Sequence, residues 1–371
     1  MEITFECEVI TPMFIYGSDG EKPELRPPAI KSMIRIWYRI IYHDLLSMKS
    51  TESKEIQNML NEESKVFGGK AKEYNSANRK IEEKNYKGKF NIHVIETKIE
   101  TITPDKYPNN LGQGIKYLLY SVLAQTKKTY IDVGSTFSIK IRSNNEEILQ
   151  KVSESFIYLS IFGALGARSR RGGGNFIIKN IKCNGVHKDK IIKNQYNLSF
   201  NTKDSLKTGL NTFKLEKFLD QKDQNYNIYI FDDKNNNSNI PFKSWYNALN
   251  FLGEKFREFR YPNNKPNENT SDVYNTPKFG FPISHKPISS RDKKTTFIAK
   301  KIVNDKTEIL TRRGSTLIFK VIKTDDNKYF SVLLWLKGEF LPDGFKIYEK
   351  NEKRDNPQDR DIINDFIKTL T

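Results

Sequence analysis

The sequence predicts an α+β fold made of two similar units in tandem, and three observations support this. Segments in which apolar and polar residues alternate, typical of half-buried strands, are interspersed with segments of 3.6-residue periodicity, typical of amphipathic helices. In the first half of the chain they follow the order strand, helix, strand, strand, helix, strand. A weaker version of this pattern restarts in the second half. We therefore place one domain in residues 1–185 and another in residues 186–371.

The first strand is predicted over residues 2–11, where apolar residues such as Ile3 and Phe5 alternate with polar ones. A helix of about twenty residues then begins at Pro27-Pro28, because proline is favoured at the first helical position. Its apolar residues fall within one arc of the helix, namely Ile30, Met33, Ile34, Trp37, Ile40, Ile41 and Leu45. A second, acidic helix over residues 51–66 ends at a glycine pair typical of a C-cap.

The rest of the first unit alternates between strands and helices after a polar run, residues 70–89, which predicts a mobile loop. Strands are predicted at 90–102, 130–143 and 175–184, and helices at 111–125 and 145–162. This order is that of the ferredoxin-like fold, the arrangement of RNA-recognition domains. The first and last strands are neighbours in that topology, so we predict Cys7 and Cys183 as core thiols on adjacent strands.

The second half predicts another unit of the same class, so that the fold class is tandem ferredoxin-like (RRM-like) domains with helical insertions. Strands are predicted at 197–201, 226–231, 296–303, 317–323 and 329–337, and helices at 205–220, 241–260 and 359–370. The segment 262–276 is rich in Pro and Asn, which predicts disorder.

Composition limits the function classes. Lys and Arg total 62 against 45 Asp and Glu, and a net charge of +17 favours a polyanionic partner, either nucleic acid or an anionic membrane surface. No apolar run is long enough to span a bilayer, and the N-terminus lacks the basic region of a signal peptide. The two cysteines have no histidines spaced for zinc. We expect a reduced, cytoplasmic protein with no metal and no cofactor.

The stretch from Phe162 to Phe176 is predicted to be the functional centre of the chain. It contains Gly166 and four other glycines around Arg168, Arg170 and Arg171, and no acidic residue occurs from 155 to 188. Glycine permits a positive φ and close approach to a ligand, while backbone N–H groups and guanidinium forks suit phosphate oxygens. The nucleotide-binding motifs Gly-x-Gly-x-x-Gly and Gly-Lys-Ser/Thr are absent. The pattern therefore favours a polymer backbone, and the alternative is a solvated basic hairpin tip.

A basic stripe on the first long helix is the second candidate. Lys31, Arg35, Arg39 and His43 follow i, i+4 spacing, and like charges at that spacing repel. A stripe without an intervening acid indicates that an anion lies along it, although a solvated helix face is the ordinary alternative. Further basic pairs occur at Arg257 and Arg260, and at Arg312 and Arg313.

Catalytic chemistry has weak support in the sequence. None of the four histidines makes a His-x-x-x-His pair, and none sits beside a cysteine or a carboxylate cluster in the sequence. His43 is the one candidate for a general base acting on an RNA 2′-hydroxyl, because it extends the basic stripe. The paired aspartates at Asp232-Asp233 and Asp325-Asp326 lie in predicted turns, where aspartate is favoured without any metal.

Several motifs together resemble one known family. They are Thr11-Pro12-Met13-Phe14, the run from Glu24 to Arg39, Phe67-Gly68-Gly69, the run from Phe162 to Gly172, Phe279-Gly280-Phe281-Pro282-Ile283 and the run from Arg312 to Leu317. Their order and spread resemble the RAMP-superfamily subunits of type III-B CRISPR (Cmr) effector complexes, in particular the subunit-one family. The run from Phe162 to Gly172 resembles the RAMP glycine-rich loop. Two departures are Gly173, where the family often has a large residue, and Tyr38, where tryptophan is common.

The resemblance implies a non-catalytic, RNA-binding subunit in antiviral defence that contacts the 3′ part of the guide RNA, the single-stranded target RNA, or both. Its other implied partners are further Cmr subunits, and no membrane is involved. The RNA-binding residues are predicted to be Arg26, Lys31, Arg35, Arg39, Gly166, Arg168, Arg170, Arg171, Arg257, Arg260, Arg312 and Arg313. The alternative, also found among RAMP relatives, is a metal-independent endoribonuclease that processes guide RNA with His43 as base. A third reading is a protein scaffold whose charge aids solubility.

Overall fold

The computed structural model describes residues 1–43, 54–75, 80–106, 111–125, 128–186, 200–213, 226–233, 240–260, 276–280, 283–285, 295–303, 306–310, 313–337, 341, 344–349 and 361–370. The helices are α1 Pro27–Tyr42, α2 Lys54–Phe67, α3 Gln113–Leu118, α4 Tyr120–Leu123, α5 Glu146–Phe162, α6 Lys203–Asn211, α7 Trp245–Arg260 and α8 Ile362–Lys368. The strands are β1 Glu2–Val9, β2 Gly69–Asn75, β3 Lys80–Tyr86, β4 Phe90–Lys98, β5 Thr101–Ile102, β6 Tyr130–Ile131, β7 Thr136–Ser143, β8 Phe176–Asn184, β9 Tyr226–Phe231, β10 Ile283–His285, β11 Thr295–Val303, β12 Lys306–Leu310, β13 Leu317–Lys323, β14 Tyr329–Leu336 and β15 Lys346–Glu349.

The first half contains a four-stranded antiparallel sheet in the order β4-β7-β1-β8. With β1, β4, β7 and β8 as its four strands, this is the ferredoxin-like order, and the predicted α+β class is confirmed. Alternate residues of β1 are buried because one face of the sheet packs on helices. Cys7 and Cys183 lie on the adjacent strands β1 and β8 but are not opposite each other, since Cys7 faces Ile178. Burial raises the pKa of the Cys7 thiol.

Helices α1 and α5 form the layer on that sheet. The first begins at Pro27, as predicted, and buries the apolar arc that includes Ile34 and Trp37. The second is capped by Asn145, whose Oδ1 accepts a hydrogen bond from the backbone N of Ile148 at 2.9 Å. This cap fixes where α5 starts, and the helix then delivers the chain to the glycine-rich segment at its C-terminal end.

The prediction of a loop over residues 70–89 is wrong, because β2 and β3 form an antiparallel hairpin there. Most of its described side chains are exposed, so the sequence carries no apolar alternation to reveal the strands. Charged and hydroxyl groups hold it instead. Lys70 Nζ lies 3.2 Å from a Glu83 carboxylate oxygen, and the Tyr86 hydroxyl donates to Glu73 at 2.8 Å.

The second half contains a three-stranded antiparallel sheet in the order β13-β14-β9, with α7 between β9 and β13 in the chain. A separate sheet joins β10, β11, β12 and β15, of which only β11 was predicted, because the other three strands are short. Helix α6 begins at Lys203, two residues before the predicted start, and ends at Asn211, while residues 214–220 of the predicted helix lie outside the described residues. Phe200 and Asn201 are not in a strand, and the rest of the strand predicted at 197–201 lies outside the described residues. So do residues 262–275 of the segment predicted as disordered.

Two hydrophobic cores each combine residues from both halves of the chain, so the domain boundary at residue 185 stays a prediction. One core joins the β1 sheet to residues such as Phe213 and Phe330, and the other joins Phe14 to Phe256. Helix α3 contacts α7 closely, and a Cβ added at Gly253 would lie 2.3 Å from the Gly114 carbonyl oxygen. Asn250 of α7 accepts a hydrogen bond from Gly114 N at 3.0 Å. The halves are therefore joined by backbone-to-backbone contact.

Helices capable of crossing a lipid bilayer, by length and apolar character, are absent from the part of the chain that the structure describes.

Candidate nucleic-acid interface

The glycine-rich loop, residues 163–175, connects α5 to β8. Gly166, Gly172 and Gly174 have φ values of 86°, 84° and 68°, and Arg168 has a φ of 59°, which non-glycine residues rarely adopt. The backbone N of Arg171 donates to the Arg168 carbonyl at 2.7 Å, which closes a tight turn. Because strained backbone conformations concentrate at functional sites, the positive φ of Arg168 makes this turn a candidate functional site.

The loop is fixed against the segment that follows β1. Ala167 N donates to the Phe14 carbonyl at 2.7 Å, and Gly174 N donates to the Pro12 carbonyl at the same distance. A Cβ added at Gly166 would lie 2.5 Å from the Phe14 carbonyl oxygen. The glycines are thus required by close backbone approach inside the protein.

Arg171 is held inside the junction between the two halves. Its guanidinium lies 4.8 Å from the ring centre of Phe256 and 5.1 Å from that of Phe319, and its Nη2 donates to the Phe279 carbonyl at 2.5 Å. Nη1 has no exposed surface and no hydrogen-bond partner among the described residues. Burial, helped by the nearby Arg260, lowers the pKa of Arg171 to about 9, so the group is still charged at neutral pH.

Arg168 and Arg170 lie beside it and are partly exposed. Arg170 donates to the Ser315 carbonyl, and Arg168 Nε donates to the Ser121 hydroxyl at 2.8 Å. Burial lowers the pKa of both guanidinium groups, and the neighbouring charge of Arg313 lowers that of Arg170 further. Each of these two arginines therefore uses one guanidinium N–H group in a hydrogen bond to the protein and has other N–H groups available for a ligand.

No carboxylate among the described residues forms an ion pair with Arg168, Arg170 or Arg171. The charge of these guanidinium groups is therefore left without a counter-ion in the part of the protein that the structure describes. Positive groups that are drawn together and desolvated in this way are stabilised when an anion binds.

The basic stripe on α1 differs, because a carboxylate from α2 lies along it. Glu63 is 3% exposed, pairs with Arg35 at 3.2 Å and accepts hydrogen bonds from both Nε and Nη2 of Arg39. Lys31 lies over the ring of Phe90 at 4.9 Å. Glu63 is therefore an internal candidate for the anion predicted along the stripe. The sequence did not reveal it, because Glu63 comes 24 residues after Arg39.

Replacing Glu63 by glutamine is expected to lower the free energy of unfolding by about 2 kcal/mol, because two half-buried guanidinium groups lose their shared counter-ion. Urea denaturation followed by circular dichroism measures this. The matched control is Glu62→Gln, since Glu62 is exposed and pairs only with Lys65 among the described residues. Equal stability of the two variants would contradict the structural role assigned to Glu63.

The remaining predicted site residues divide between these two places. Arg260, at the end of α7, lies over the rings of Tyr117 and Phe256 beside Arg171, and Arg313 is exposed near Arg170. Arg257 lies in the same last turn of α7. Arg26 immediately precedes α1, and Arg312 lies outside the described residues. The structure thus brings the loop arginines together with Arg260 and Arg313, while Lys31, Arg35 and Arg39 face α2 and β4.

Lys320 is a residue of the site that sequence reasoning missed. It is 1% exposed on β13, and its amino group donates to the carbonyls of Ser160 and Gly163, each at 2.6 Å. These carbonyls end α5 and begin the glycine-rich loop. The signal available in the sequence is one lysine within an otherwise apolar strand, Leu317–Lys323. Burial lowers the pKa of Lys320 to about 7.

His43, the candidate base, lies just after α1 with its ring centre 5.3 Å from that of Tyr38. Its Nε2 has no exposed surface, which makes this atom inaccessible to an RNA hydroxyl in this conformation. Among the described residues, no three His, Cys, Asp or Glu side chains lie close enough together to hold a metal ion.

Comparison with known proteins finds similarity to one family. The model of the RAMP superfamily matches residues 6–177. Over 194 residues the chain is 28% identical to CRISPR system Cmr subunit Cmr1-2 of Pyrococcus furiosus, covering 49% of this chain and 97% of that protein. Over 211 residues it is 27% identical to Cmr1-1 of the same organism, covering 56% of each.

Solved structures share the fold. The crystal structure of Cmr1 from Pyrococcus furiosus in its apo form superposes with a TM-score of 0.56 and 17% identity, covering all of this chain and 96% of that one. A chain of the cryo-EM structure of the type III-B Cmr-beta bound to cognate target RNA gives a TM-score of 0.50 and 12% identity, covering 100% and 99%. At these identities the likeness establishes the fold alone.

Proposed function

We propose that this chain is an RNA-binding subunit of a type III-B CRISPR (Cmr) effector complex. The premise is that it is a RAMP-superfamily protein that resembles subunit one of that complex. Its ligand is the 3′ part of the guide RNA, the single-stranded target RNA, or both. Its other partners are Cmr subunits, and it performs no catalysis. The proteins that it resembles are Cmr subunits, and the match to the RAMP superfamily, over residues 6–177, includes the glycine-rich loop; both observations support this assignment.

The observation that carries the proposal is the set of loop arginines without a carboxylate. Three arginines meet at one turn, all of them partly exposed as residues, and no acid among the described residues pairs with them. Folding them there costs desolvation energy, and phosphate oxygens that accept bidentate hydrogen bonds offset that cost.

The arginines have different roles in this proposal. Arg171 is enclosed by Phe256 and Phe319, so it positions the turn. Arg168 and Arg170 contact RNA phosphates, and the exposed Arg313 extends this surface. Because phosphates carry no sequence information, binding depends weakly on RNA sequence and strongly on salt. Base pairing between guide and target then supplies specificity, the division of labour known for another CRISPR effector.

The test is the double variant Arg168→Glu/Arg170→Glu, assayed by fluorescence anisotropy with single-stranded RNA across a salt titration. We expect affinity to fall at least about tenfold and the salt dependence to become less steep, because about 0.7 counterions are released per phosphate contact on a single strand. The control is Lys106→Glu/Lys207→Glu, which reverses two exposed charges that belong neither to the loop nor to α1. If the two double variants bind RNA equally well, the loop is not the RNA site.

A further inference from the structure

A second feature of the molecule is an open cleft of about 820 Å³ at the far end of the first sheet. Its walls are the first residues of β1 and β4, the last residues of β7 and β8, and the turn before α5. The glycine-rich loop is at the opposite end, since Ile10, just after β1, donates from its N to the Asn175 carbonyl. An eight-residue strand spans about 26 Å, so the cleft and the loop are separate sites.

The cleft has an excess of positive charge. The acidic residue in its wall is Glu2, and this carboxylate pairs with Arg142 at 2.6 Å and with Lys140 at 3.3 Å. Lys87 and Lys89 are exposed in the wall and form no ion pair with any described residue. Lys87 and Lys89 therefore give the cleft positive charge that no acidic side chain among the described residues neutralises.

The cleft also presents unused amide groups. Asn91, Asn144 and Asn184 are exposed in its wall, and their side chains make no hydrogen bond to other described residues. Each amide offers two donors and an acceptor, the pattern that pairs with the edges of unstacked bases. Phe90 is only 4% exposed, so the wall is polar rather than apolar. A ligand that uses the whole cleft therefore carries both negative charge and hydrogen-bonding edges.

We propose that this cleft binds a nucleotide of a single-stranded RNA, with the phosphate at Lys87, Lys89 and Arg142 and the base edge at the three asparagines. The inference rests on the proposed function and adds a second contact to it. At the 3.4 Å rise of a stacked strand, a separation of about 26 Å corresponds to about eight nucleotides. The backbone of an acidic peptide also pairs with amides, so RNA is favoured here by the RNA-binding function proposed for the loop, and the crosslinking below distinguishes the two ligands.

Two cleft variants of the full-length protein separate the charge from the amides. Lys87→Gln/Lys89→Gln should weaken binding of an RNA of about 15 nucleotides about fivefold and reduce the slope of log affinity against log salt by about 0.7, for one lost phosphate contact. Asn91→Ala/Asn184→Ala should weaken binding by a similar factor and leave the slope unchanged, because no charge is removed. Lys106→Gln/Lys207→Gln, the matched control, should bind as the wild type does.

Mapping of the contact completes the test. RNA carrying 4-thiouridine should crosslink to residues 87–91 or 142–145 when illuminated, and thermal melting should confirm that each variant is folded. If both cleft variants bind like the control, the cleft is not an RNA site, while the loop proposal stands. If the wild type binds no RNA at all, both proposals are wrong. If the lysine variant alone weakens binding and no crosslink falls in the cleft, the lysines act only through long-range charge and the cleft proposal is overturned.

Discussion

Replacing Gly174 by alanine is expected to lower the free energy of unfolding by about 3 kcal/mol or more, for two separate reasons. Gly174 has a φ of 68°, a conformation that costs a side-chain-bearing residue about 1–2 kcal/mol. A Cβ there would also lie 1.8 Å from the Leu165 carbonyl oxygen, a backbone atom that moves only if the loop rearranges. Urea denaturation of the two proteins gives the difference.

Gly20 provides a close control for this substitution. Its φ is 70°, nearly that of Gly174, but no atom lies within 4 Å of the position that its Cβ would occupy. Gly20→Ala should therefore show the conformational cost alone, about 1–2 kcal/mol. If Gly174→Ala destabilises the protein no more than Gly20→Ala does, the close approach of Gly174 to Leu165 does not constrain the loop in solution.

Changing Lys320 to methionine is expected to remove a large pH dependence of stability. In the folded protein burial lowers the pKa of Lys320 to about 7, from 10.5. Between these values the unfolded chain holds a proton that the folded protein has released, so the stability of the wild type rises with pH. Below pH 7 both states are protonated and this contribution is flat. The neutral amine still has two N–H donors for the Ser160 and Gly163 carbonyls, so folding survives the loss of the proton.

The measurement is the unfolding free energy of wild type and variant at several pH values from 7 to 10.5. The wild type should gain stability relative to Lys320→Met by up to about 1.4 kcal/mol per pH unit. Lys320→Arg, whose guanidinium stays charged over this range, should also lack the gain. A constant difference between wild type and Lys320→Met would mean that Lys320 does not change its protonation state on folding in this range.

Features that depend on local sequence were predictable in this protein. The start of α1 at Pro27 and the alternation of β1 are set by residues within a few positions, and both were predicted from the sequence. The hairpin of β2 and β3 was not, because strands with both faces in water carry no periodic signal. The order of the first sheet followed from element order alone, because the ferredoxin-like topology fixes which strands are neighbours.

Charge partners were less predictable than elements. The sequence displays Lys31, Arg35 and Arg39 as a stripe but does not reveal that α2 folds back to bring Glu63 against it. The glycine-rich loop was predicted as a unit, but the packing of Arg171 against aromatic rings was not, because those rings come from the second half of the chain. Such long-range pairings require the tertiary structure.

The contact of Gly114 with Gly253 has a consequence for the integrity of the whole molecule. If the polypeptide were cut near residue 185, Gly114 of α3 and the apolar side chains around it would be exposed to water, because α7, which covers them, would belong to the other fragment. We therefore expect that neither fragment folds as a self-sufficient module, and that thermal melting of the full chain follows one cooperative transition. The glycine-rich loop lies where the two fragments meet, so a ligand that binds it would raise the melting temperature of the entire chain.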